Sequence, residues 1–227
     1  NIANKNWYCD LMRIILLGAP GSGKGTQAEK LMDDFGLPQI STGNLLRQAI
    51  ADDTEIGKQA KEIMAAGNLV SDEIVLDLIR ISLDSPSSQS GFVLDGYPRN
   101  IAQAESLDVL LTSINQPLDH AVLIDVDSDT LTKRLSGRRM CSLTGKILNI
   151  YFSDQSEIDK CLSSGGELIQ RSDDNIESIT NRINVYREQT EPLLEYYKSI
   201  GLLIIADGNG EIDEVYKRVL KLTNMMD

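Results

Sequence analysis

The sequence predicts an α/β protein built on a doubly wound, five-stranded parallel sheet with helices on both faces. Three observations support this fold class. Strand-like apolar runs alternate with helix-length segments, a glycine-rich loop follows the first run, and the 227 residues are 41% hydrophobic, enough for a packed core. The runs cover 13–17, 38–41, 91–95, 121–126 and 202–206. Because such sheets bind ligands at the carboxyl ends of their strands, we expect a binding site at that edge.

The segment after the first run, Gly18-Ala19-Pro20-Gly21-Ser22-Gly23-Lys24-Gly25-Thr26, has the pattern of a phosphate-binding loop. Its glycines let the backbone turn tightly and direct N–H groups at an anion, at the start of a helix expected over 26–35. Lys24 adds a positive charge for the outer phosphates. In the usual pattern a Ser or Thr directly follows the lysine and binds magnesium, but here Gly25 follows it and the hydroxyl comes at Thr26.

Asp95 ends the third apolar run, at the edge of the sheet where ligands are expected. A carboxylate at this point can hold a magnesium ion, directly or through its waters, which fits the hydroxyl missing at position 25. The alternative is that Asp95 only caps the end of its strand. We favour the metal-binding role.

Six arginines stand beside turn residues or at the ends of predicted elements. They are Arg47, Arg99, Arg134, Arg138, Arg171 and Arg182. Planar guanidinium groups match phosphate oxygens, and phosphoryl transfer needs positive charge around the equatorial oxygens. A single arginine is usually solvated, but six of them near a phosphate loop, in a chain of net charge −12, indicate a cationic site. The negative overall charge disfavours nucleic acid as a partner.

Two segments interrupt the alternation of strands and helices. Residues 42–70 look helical throughout and predict a small helical lobe. Residues 137–171 are rich in Ser, Gly and Asp without a sustained period, and we interpret them as a long loop that serves as a lid. The pair Asp173-Asp174 follows and is interpreted as a cap of the next helix, as a lid hinge, or as both.

Targeting signals are lacking in the sequence. Residues 1–11 have neither a signal-peptide core nor a transit pattern, and we interpret them as an N-terminal extension. No apolar run is long enough to span a bilayer. Three scattered cysteines do not form a disulfide framework and favour a reducing compartment, so we expect a cytoplasmic protein with no membrane partner.

From about residue 12 to the C-terminus, the chain resembles adenylate kinases of the long-lid type. The motifs that carry the resemblance are 18–26, Ser41-Thr42-Gly43-Asn44-Leu45-Leu46-Arg47, Leu94-Asp95-Gly96-Tyr97-Pro98-Arg99, Gly137-Arg138-Arg139 and Gln170-Arg171-Ser172-Asp173-Asp174. The resemblance implies a P-loop core (12–41, 71–137 and 172–227), an inserted helical NMP-binding lobe (42–70) and a lid (138–171). It also implies reversible phosphoryl transfer from Mg-ATP to AMP, giving two ADP, by a monomer.

The resemblance also implies roles for individual residues. The implied catalytic residues are Lys24, Asp95, Arg99, Arg138, Arg171 and Arg182. The implied ATP site consists of Gly21, Ser22, Gly23, Lys24, Gly25, Thr26, Arg134, Arg138, Ile147, Leu148 and Gly210. The implied AMP site consists of Thr42, Arg47, Asn68, Leu69, Val70, Gly96, Tyr97, Pro98, Arg99, Gln103, Arg171 and Arg182. Asp173 and Asp174 are the implied lid hinge, and magnesium is expected through the nucleotide phosphates and waters near Asp95.

The choice of nucleotides rests on a few positions. Thr42 and Gln103 can pair with the ring and exocyclic nitrogens of adenine, whereas the similar UMP/CMP kinases usually carry Ala and Asn there, so AMP is favoured as acceptor. Leu148 and Asn149 replace an aromatic residue and a histidine that the family often has near the ATP base, so GTP remains an alternative donor. A P-loop switch that binds GTP is a less favoured alternative, because the sequence has no Asn-Lys-x-Asp guanine motif.

The lid poses a separate question about zinc. Many long-lid relatives carry Cys-x2-Cys twice and bind structural zinc, whereas this chain has Cys141 with Thr144 and Cys161 with Ser164 at those spacings. Two thiols and two hydroxyls make a poor zinc site, so we predict no zinc and a hydrogen-bond network that includes Thr144 and Ser164. A disulfide between Cys141 and Cys161 is the alternative, but a reducing compartment favours free thiols.

Overall fold

The computed structural model describes residues 12–226. The strands are β1 (Arg13–Leu17), β2 (Gln39–Ser41), β3 (Phe92–Asp95), β4 (His120–Asp125), β5 (Arg138–Cys141), β6 (Ile147–Asn149), β7 (Leu168–Ile169) and β8 (Leu203–Asp207). The helices are α1 (Lys24–Phe35), α2 (Thr42–Ala51), α3 (Glu55–Ala65), α4 (Asp72–Leu83), α5 (Ile101–Ser113), α6 (Ser128–Gly137), α7 (Gln155–Ser163), α8 (Ile176–Val185), α9 (Leu193–Ser199) and α10 (Ile212–Leu222). A short 3-10 helix (Pro86–Ser90) and a π-helical turn (Tyr186–Thr190) complete the described elements.

The centre of the fold is a five-stranded parallel sheet with the strand order β2-β3-β1-β4-β8. This confirms the predicted fold class, and each of the five predicted runs is a strand whose bounds lie within one residue of the prediction. β1 shows why the sheet is buried on both faces: Ile14 and Leu16 pack into one apolar cluster, and Ile15 and Leu17 pack into another. The order of the strands brings the carboxyl ends of β1, β3 and β4 side by side.

The helical lobe is interrupted, contrary to the expectation of helix throughout 42–70. Asp53 lies at φ 51 between α2 and α3, and the Thr54 hydroxyl caps α3 by accepting a hydrogen bond from Gly57 N at 3.0 Å. α2 and α3 approach so closely at Gly57 that a Cβ there would lie 2.0 Å from the carbonyl oxygen of Ala49. The break follows from this sharp turn, which the apolar spacing alone did not indicate.

The segment interpreted as a long loop is a small folded unit, so that interpretation was wrong. β5 pairs antiparallel with both β6 and β7, and α7 packs beside them. The strands are only two to four residues long, too short for a period to be visible in the sequence. The core of this unit contains Cys141, Leu148, Ile158 and Cys161.

The expectation of free thiols is also wrong in this structure, because Cys141 and Cys161 form a disulfide with their Cα atoms 6.1 Å apart. The end of β5 and the end of α7 both face the same small core, and this brings the two cysteines together. Thr144 Oγ1 accepts a hydrogen bond from Lys146 N at 3.3 Å, as a network would require. Among the described residues, Ser164 takes part only through its backbone N–H, which donates to Lys160 O.

In the part of the chain that the structure describes, no helix is long and apolar enough to cross a membrane. The predicted N-terminal extension, residues 1–11, lies outside the described residues.

Candidate active site

A cavity of about 760 Å³ lies at the carboxyl edge of the central sheet, between the core, the helical lobe and the lid unit. Most of the implied site residues line it, on opposite sides. They are Gly21, Ser22, Gly23, Lys24, Gly25, Thr26, Arg47, Asn68, Leu69, Asp95, Gly96, Pro98, Arg99, Arg134, Arg138, Ile147, Leu148, Arg171, Asp173, Arg182 and Gly210. The fold therefore brings together segments that are far apart in the sequence.

A smaller cavity of about 30 Å³ adjoins the first on the side of the helical lobe. Thr42, Val70 and Gln103 line it, and it shares Asn68 and Gly96, among others, with the large cavity. Two implied residues, Tyr97 and Asp174, line neither cavity. The side chain of Tyr97 is buried, and its hydroxyl donates to Gln103 O at 3.3 Å, so the structure gives this side chain a packing role.

The glycine-rich loop has the backbone geometry that phosphate binding requires. Gly18, Gly21 and Gly23 have φ values of +142°, +85° and +99°, a region that other residues rarely adopt. At Gly18 a Cβ would also lie 2.7 Å from Ile124 O. α1 begins directly after Gly23, at Lys24, two residues earlier than predicted. The free N–H groups of its first turn therefore face the cavity edge.

Lys24 lies inside this loop and is held by it. Its Nζ donates to the carbonyl oxygens of Gly18 at 2.7 Å and Ala19 at 3.0 Å. Burial lowers the pKa of Lys24, the Asp95 carboxylate opposes the change, and nearby arginines including Arg99 add to it, so that the pKa is about 8. Added negative charge beside Nζ would stabilise the ammonium form, as the phosphates of a bound nucleotide would supply.

The arginines around the cavity are crowded and partly desolvated. Burial, followed by the charge of Arg182, lowers the pKa of Arg99 to about 10. Burial, followed by the charges of Arg47 and Arg138, lowers the pKa of Arg171 to about 10. Because these cations repel one another in a confined space, the site is poised to accept an anion of high charge.

Two carboxylates partly balance this positive charge. Arg138 donates to Asp174 through Nε at 2.7 Å and through Nη2, and Arg182 Nη1 reaches Asp174 Oδ1 at 3.1 Å. Arg182 Nη1 also lies 3.1 Å from Asp173 Oδ2. Burial opposes ionisation of Asp173, but Arg182 and Arg138 outweigh it and lower the pKa of that carboxyl. The capping role considered for this pair is wrong, since Asn175 caps α8 by accepting from Ser178 N.

The small cavity presents polar groups suited to a base. Thr42 Oγ1 donates to Gly96 O at 2.8 Å, Gln103 Oε1 accepts from Arg99 N at 2.7 Å, and Gln103 Nε2 donates to Asp72 Oδ1 at 2.6 Å. An amide has two donor hydrogens and two acceptor lone pairs, so Gln103 keeps one of each for a ligand. Asp72, which orients the amide, was not found from the sequence, because it starts α4 some thirty residues earlier.

On the phosphate-loop side, Arg134 and Phe152 face each other. The Arg134 guanidinium lies 5.9 Å from the centre of the Phe152 ring and donates to the carbonyl oxygens of Ser22 and Gly208. Phe152 is half exposed and lines the cavity. Leu148, implied as a base contact, borders the cavity but is only 2% exposed and packs beside the disulfide. An aromatic residue four positions after Leu148 was the signal that sequence reasoning missed.

Asp95 stands opposite the glycine that replaces the usual hydroxyl. A Cβ at Gly25 would lie 3.4 Å from Asp95 Oδ2, and that oxygen accepts a hydrogen bond from Gln39 Nε2 at 3.1 Å. Gln39 lines the cavity and was not found from the sequence. Within residues 12–226 no group of three or more Asp, Glu, His or Cys could hold a metal. A magnesium ion would fit here with Asp95 as its protein carboxylate and with nucleotide phosphates and water as its other ligands.

Comparison with known proteins agrees with this geometry. The sequence model of the family described as "Adenylate kinase" matches residues 16–202 of the chain. The chain belongs to the adenylate kinase family. It is 50% identical to an adenylate kinase of Thermodesulfovibrio yellowstonii over 208 residues, which are 92% of this chain and 97% of the relative. An adenylate kinase of Nitrosococcus oceani is 50% identical over 211 residues, with 92% and 96% of the two chains covered.

A more distant relative shows the same coverage. An adenylate kinase of Methanosarcina barkeri is 46% identical over 208 residues, which are 92% of this chain and 96% of that protein. The resemblance noted from the motifs is therefore confirmed over almost the whole chain. As a member of the adenylate kinase family the protein is an enzyme, and the cavity at the carboxyl edge of its sheet is its candidate active site.

Proposed function

We propose that this protein transfers the γ-phosphoryl group of Mg-ATP to AMP, giving two ADP in a reversible reaction. The observation that carries the proposal is a large cavity with a phosphate loop on one side, an adjoining polar pocket lined by Thr42 and Gln103 on the other, and arginines between them. Two nucleotides placed with their phosphates facing each other would bring donor and acceptor together at Lys24 and Arg99. Family membership supports the same activity.

The donor nucleotide is proposed to bind on the side of α1. The loop 18–26 and the first turn of α1 would hold its phosphates through backbone N–H groups and Lys24. Arg134 and Phe152 offer two faces for the adenine ring, beside the backbone of Gly210. Ile147 and Leu148 border the same part of the cavity from the lid side.

The acceptor AMP is proposed to bind at the smaller cavity. Thr42 and Gln103 would pair with the adenine edge, and Asn68, Leu69, Val70 and the backbone at Gly96 would enclose the ring. Arg47 and Arg99 lie between that cavity and the phosphate loop, within reach of the acceptor phosphate. Pro98 supports this wall, whereas Tyr97 contributes through packing.

The transfer itself is proposed to need no covalent intermediate. Lys24, Arg99, Arg138, Arg171 and Arg182 surround the point between the two nucleotides, and their charge would stabilise the equatorial oxygens during in-line transfer. Burial lowers the pKa of Lys24, Arg99, Arg171 and Arg182, which supports a desolvated site, where electrostatic stabilisation is strongest. Magnesium, held at Asp95 and by the phosphates, would neutralise charge on the donor.

We further propose that 42–70 and 138–171 close over a core formed by 12–41, 71–137 and 172–227. The lid would hinge at Asp173 and Asp174, and the ion pairs of these residues with Arg138 and Arg182 support that role. Closure would exclude water from the phosphates and so prevent hydrolysis of ATP. A cytoplasmic location and a monomeric state are part of the proposal, and light scattering of the purified protein tests the second.

The experiment is a nucleotide panel with purified protein. ADP formation is measured with ATP plus AMP, UMP, CMP or GMP, and with GTP plus AMP. We expect ATP with AMP to be the fastest pair by at least tenfold. Faster reaction with UMP or CMP would contradict AMP as the acceptor, and faster reaction with GTP would contradict ATP as the donor. Slow hydrolysis that does not depend on any acceptor would favour a nucleotide switch.

A pair of lysine variants completes the test. Lys24→Met is expected to lose several orders of magnitude in turnover while keeping its circular dichroism spectrum, because it removes the charge from the centre of the site. Lys30→Met is the matched control on the same helix, since Lys30 lines neither cavity and contacts Asp213, at 2.8 Å, and the Tyr216 ring, 5.0 Å from its centre. Near-normal turnover of folded Lys24→Met would contradict the role of that residue.

A further inference from the structure

Gln39 is a polar residue of the active-site wall that family motifs did not single out. It lies on β2, its side chain lines the large cavity, and its Nε2 donates to Asp95 Oδ2 at 3.1 Å. Ser41 of β2 pairs with Asp95 of β3, and Gln39 is two residues earlier on the same face of the strand. The side chain therefore reaches diagonally across two neighbouring strands to the carboxylate.

We propose that Gln39 is a positioning residue that holds the Asp95 carboxylate in the orientation in which it serves the metal of the donor nucleotide. The inference rests on the proposed function. Gln39 occupies one carboxylate oxygen, Oδ2, and no donor among residues 12–226 bonds to the other, Oδ1. One oxygen is thus anchored and the other is left for the metal or its waters.

A neutral amide is better suited than a cationic side chain to orient the Asp95 carboxylate for a metal. A lysine or arginine in the place of Gln39 would neutralise Asp95, whereas a neutral amide orients the carboxylate and leaves its full negative charge for a divalent cation. Three cations, Lys24, Arg47 and Arg99, already act on Asp95 through space, since the Asp95 charge opposes the lowering of the pKa of each. A fourth would further weaken the attraction for a metal.

The glycine after the P-loop lysine completes the arrangement. A Cβ at Gly25 would lie 3.4 Å from Asp95 Oδ2 and 3.9 Å from Gln39 Nε2, so both groups fill the space in front of position 25. The hydroxyl that other phosphate loops place there is absent, and the pair Gln39–Asp95 occupies the same side of the loop. The role that a Ser or Thr hydroxyl has in other phosphate loops is thereby taken by two residues, the Asp95 carboxylate and the Gln39 amide that orients it.

The test measures metal affinity without turnover. Manganese(II) is titrated into the protein with the β,γ-methylene analogue of ATP, and free metal is followed by electron paramagnetic resonance. In Gln39→Met, which has nearly the same length but no donor, the manganese dissociation constant is expected to rise about tenfold. The affinity for the analogue in EDTA is expected to stay unchanged, because Gln39 acts on the metal and not on the phosphates.

Gln155→Met is the matched control. Gln155 Nε2 donates to Asp159 Oδ1 at 2.8 Å in an exposed glutamine–aspartate pair on α7, outside both cavities. Its manganese affinity should equal that of the wild type. Gln39→Leu provides a second variant: it also lacks the donor to Asp95 and should weaken manganese binding about as much as Gln39→Met.

The outcomes separate this inference from the proposed function. Manganese affinity within twofold of wild type in both Gln39 variants would overturn the positioning role. Wild-type protein that binds manganese no more tightly than the free analogue does would overturn the metal site at Asp95 and this role with it. Weakened manganese binding in the variants, combined with no ADP formation in the nucleotide panel, would overturn only the proposed function.

Discussion

Arg138 and Asp174 form a two-point ion pair where the proposed lid meets the proposed core. Arg138 donates through Nε at 2.7 Å and through Nη2, and the Asp174 side chain is fully buried beneath it. The same carboxylate accepts from Arg182 Nη1 at 3.1 Å. One buried aspartate thus orients two of the arginines that are proposed to meet the phosphates.

Removal of the negative charge of Asp174 should destabilise the nucleotide-free protein. In Asp174→Asn the shape is kept but two partly buried guanidinium groups lose their counter-charge, and we expect the free energy of unfolding to fall by about 3 kcal/mol. Urea unfolding checks this, and the loss should shrink when ATP analogue supplies negative charge. Glu195→Gln, which breaks an exposed pair with Lys198, should change stability by less than about 0.5 kcal/mol. Equal stability of Asp174→Asn and wild type without nucleotide would contradict the prediction.

The depressed pKa of Lys24 predicts proton uptake on binding. At pH 9 much of the unliganded Lys24 is neutral, because its pKa is about 8, and bound phosphates would raise that pKa and draw in a proton. At pH 6.5 the ammonium is already formed and contributes no uptake. Calorimetry of the ATP analogue in two buffers of different ionisation enthalpy measures the difference. Lys24→Met should lose the uptake at pH 9, and equal uptake in both proteins would rule out Lys24 as its source.

The lowered pKa of Lys24 also makes the free energy of unfolding depend on pH. Between pH 8 and 10.5 the unfolded chain holds the proton of Lys24 and the folded chain does not, so this residue contributes a rise of stability with pH over that interval. Below pH 8 both states hold the proton, and the buried ammonium destabilises the fold. Comparing urea unfolding of wild type and Lys24→Met at pH 7 and pH 10 would reveal this difference in slope.

Phe152 should affect the donor nucleotide alone. Loss of its ring in Phe152→Ala removes one face against which a base can stack across from Arg134, and a loss of about 1 kcal/mol corresponds to about a fivefold higher KM for ATP. The KM for AMP should not change, because the acceptor pocket lies on the other side of the cavity. Tyr151→Ala is the control: Tyr151 is the adjacent exposed aromatic residue and does not line the cavity. A rise in both KM values would contradict the separation of the two sites.

The lid disulfide should stabilise the lid in place of a metal. Cys141 and Cys161 are separated by 20 residues, a loop whose closure contributes about 3 kcal/mol. Hydrogen exchange of the lid amides, compared before and after reduction, should show that opening becomes easier by about this amount. Metal analysis of reduced protein incubated with zinc is expected to find none bound, because Thr144 and Ser164 supply hydroxyls. About one zinc per chain would overturn that prediction.

The parts of the fold and of the site that depend on residues close together in the sequence were predictable. The five strands of the central sheet were found because each is a short apolar run that the buried faces of a parallel sheet require. The phosphate loop was found because the closely spaced glycines around Lys24 permit a tight backbone path that few other residues allow. Asp95 and Arg99 could be placed at the site because Asp95 ends β3 and Arg99 follows it closely.

Other features escaped sequence analysis for physical reasons. β5, β6 and β7 are too short to show a period, and the sharp turn before α3 depends on how closely Gly57 approaches Ala49. The position of Asp174 before α8 suggested a helix cap, but its carboxylate instead pairs with Arg138, 36 residues away in the sequence. Such pairings depend on the three-dimensional fold, and the local sequence pattern does not indicate them.

The sequence by itself determined that this chain has a parallel α/β core, a phosphate loop with Gly25 after its lysine, and enough arginines to neutralise facing phosphates. Residue type and spacing carry that information, because backbone conformation and strand burial respond to near neighbours. Only the tertiary structure decided that Gln39 bonds to Asp95 across two strands, that Phe152 and not Leu148 faces Arg134, and that the two lid cysteines are bonded. Those relationships join residues whose separation along the chain gives no indication of their distance in space.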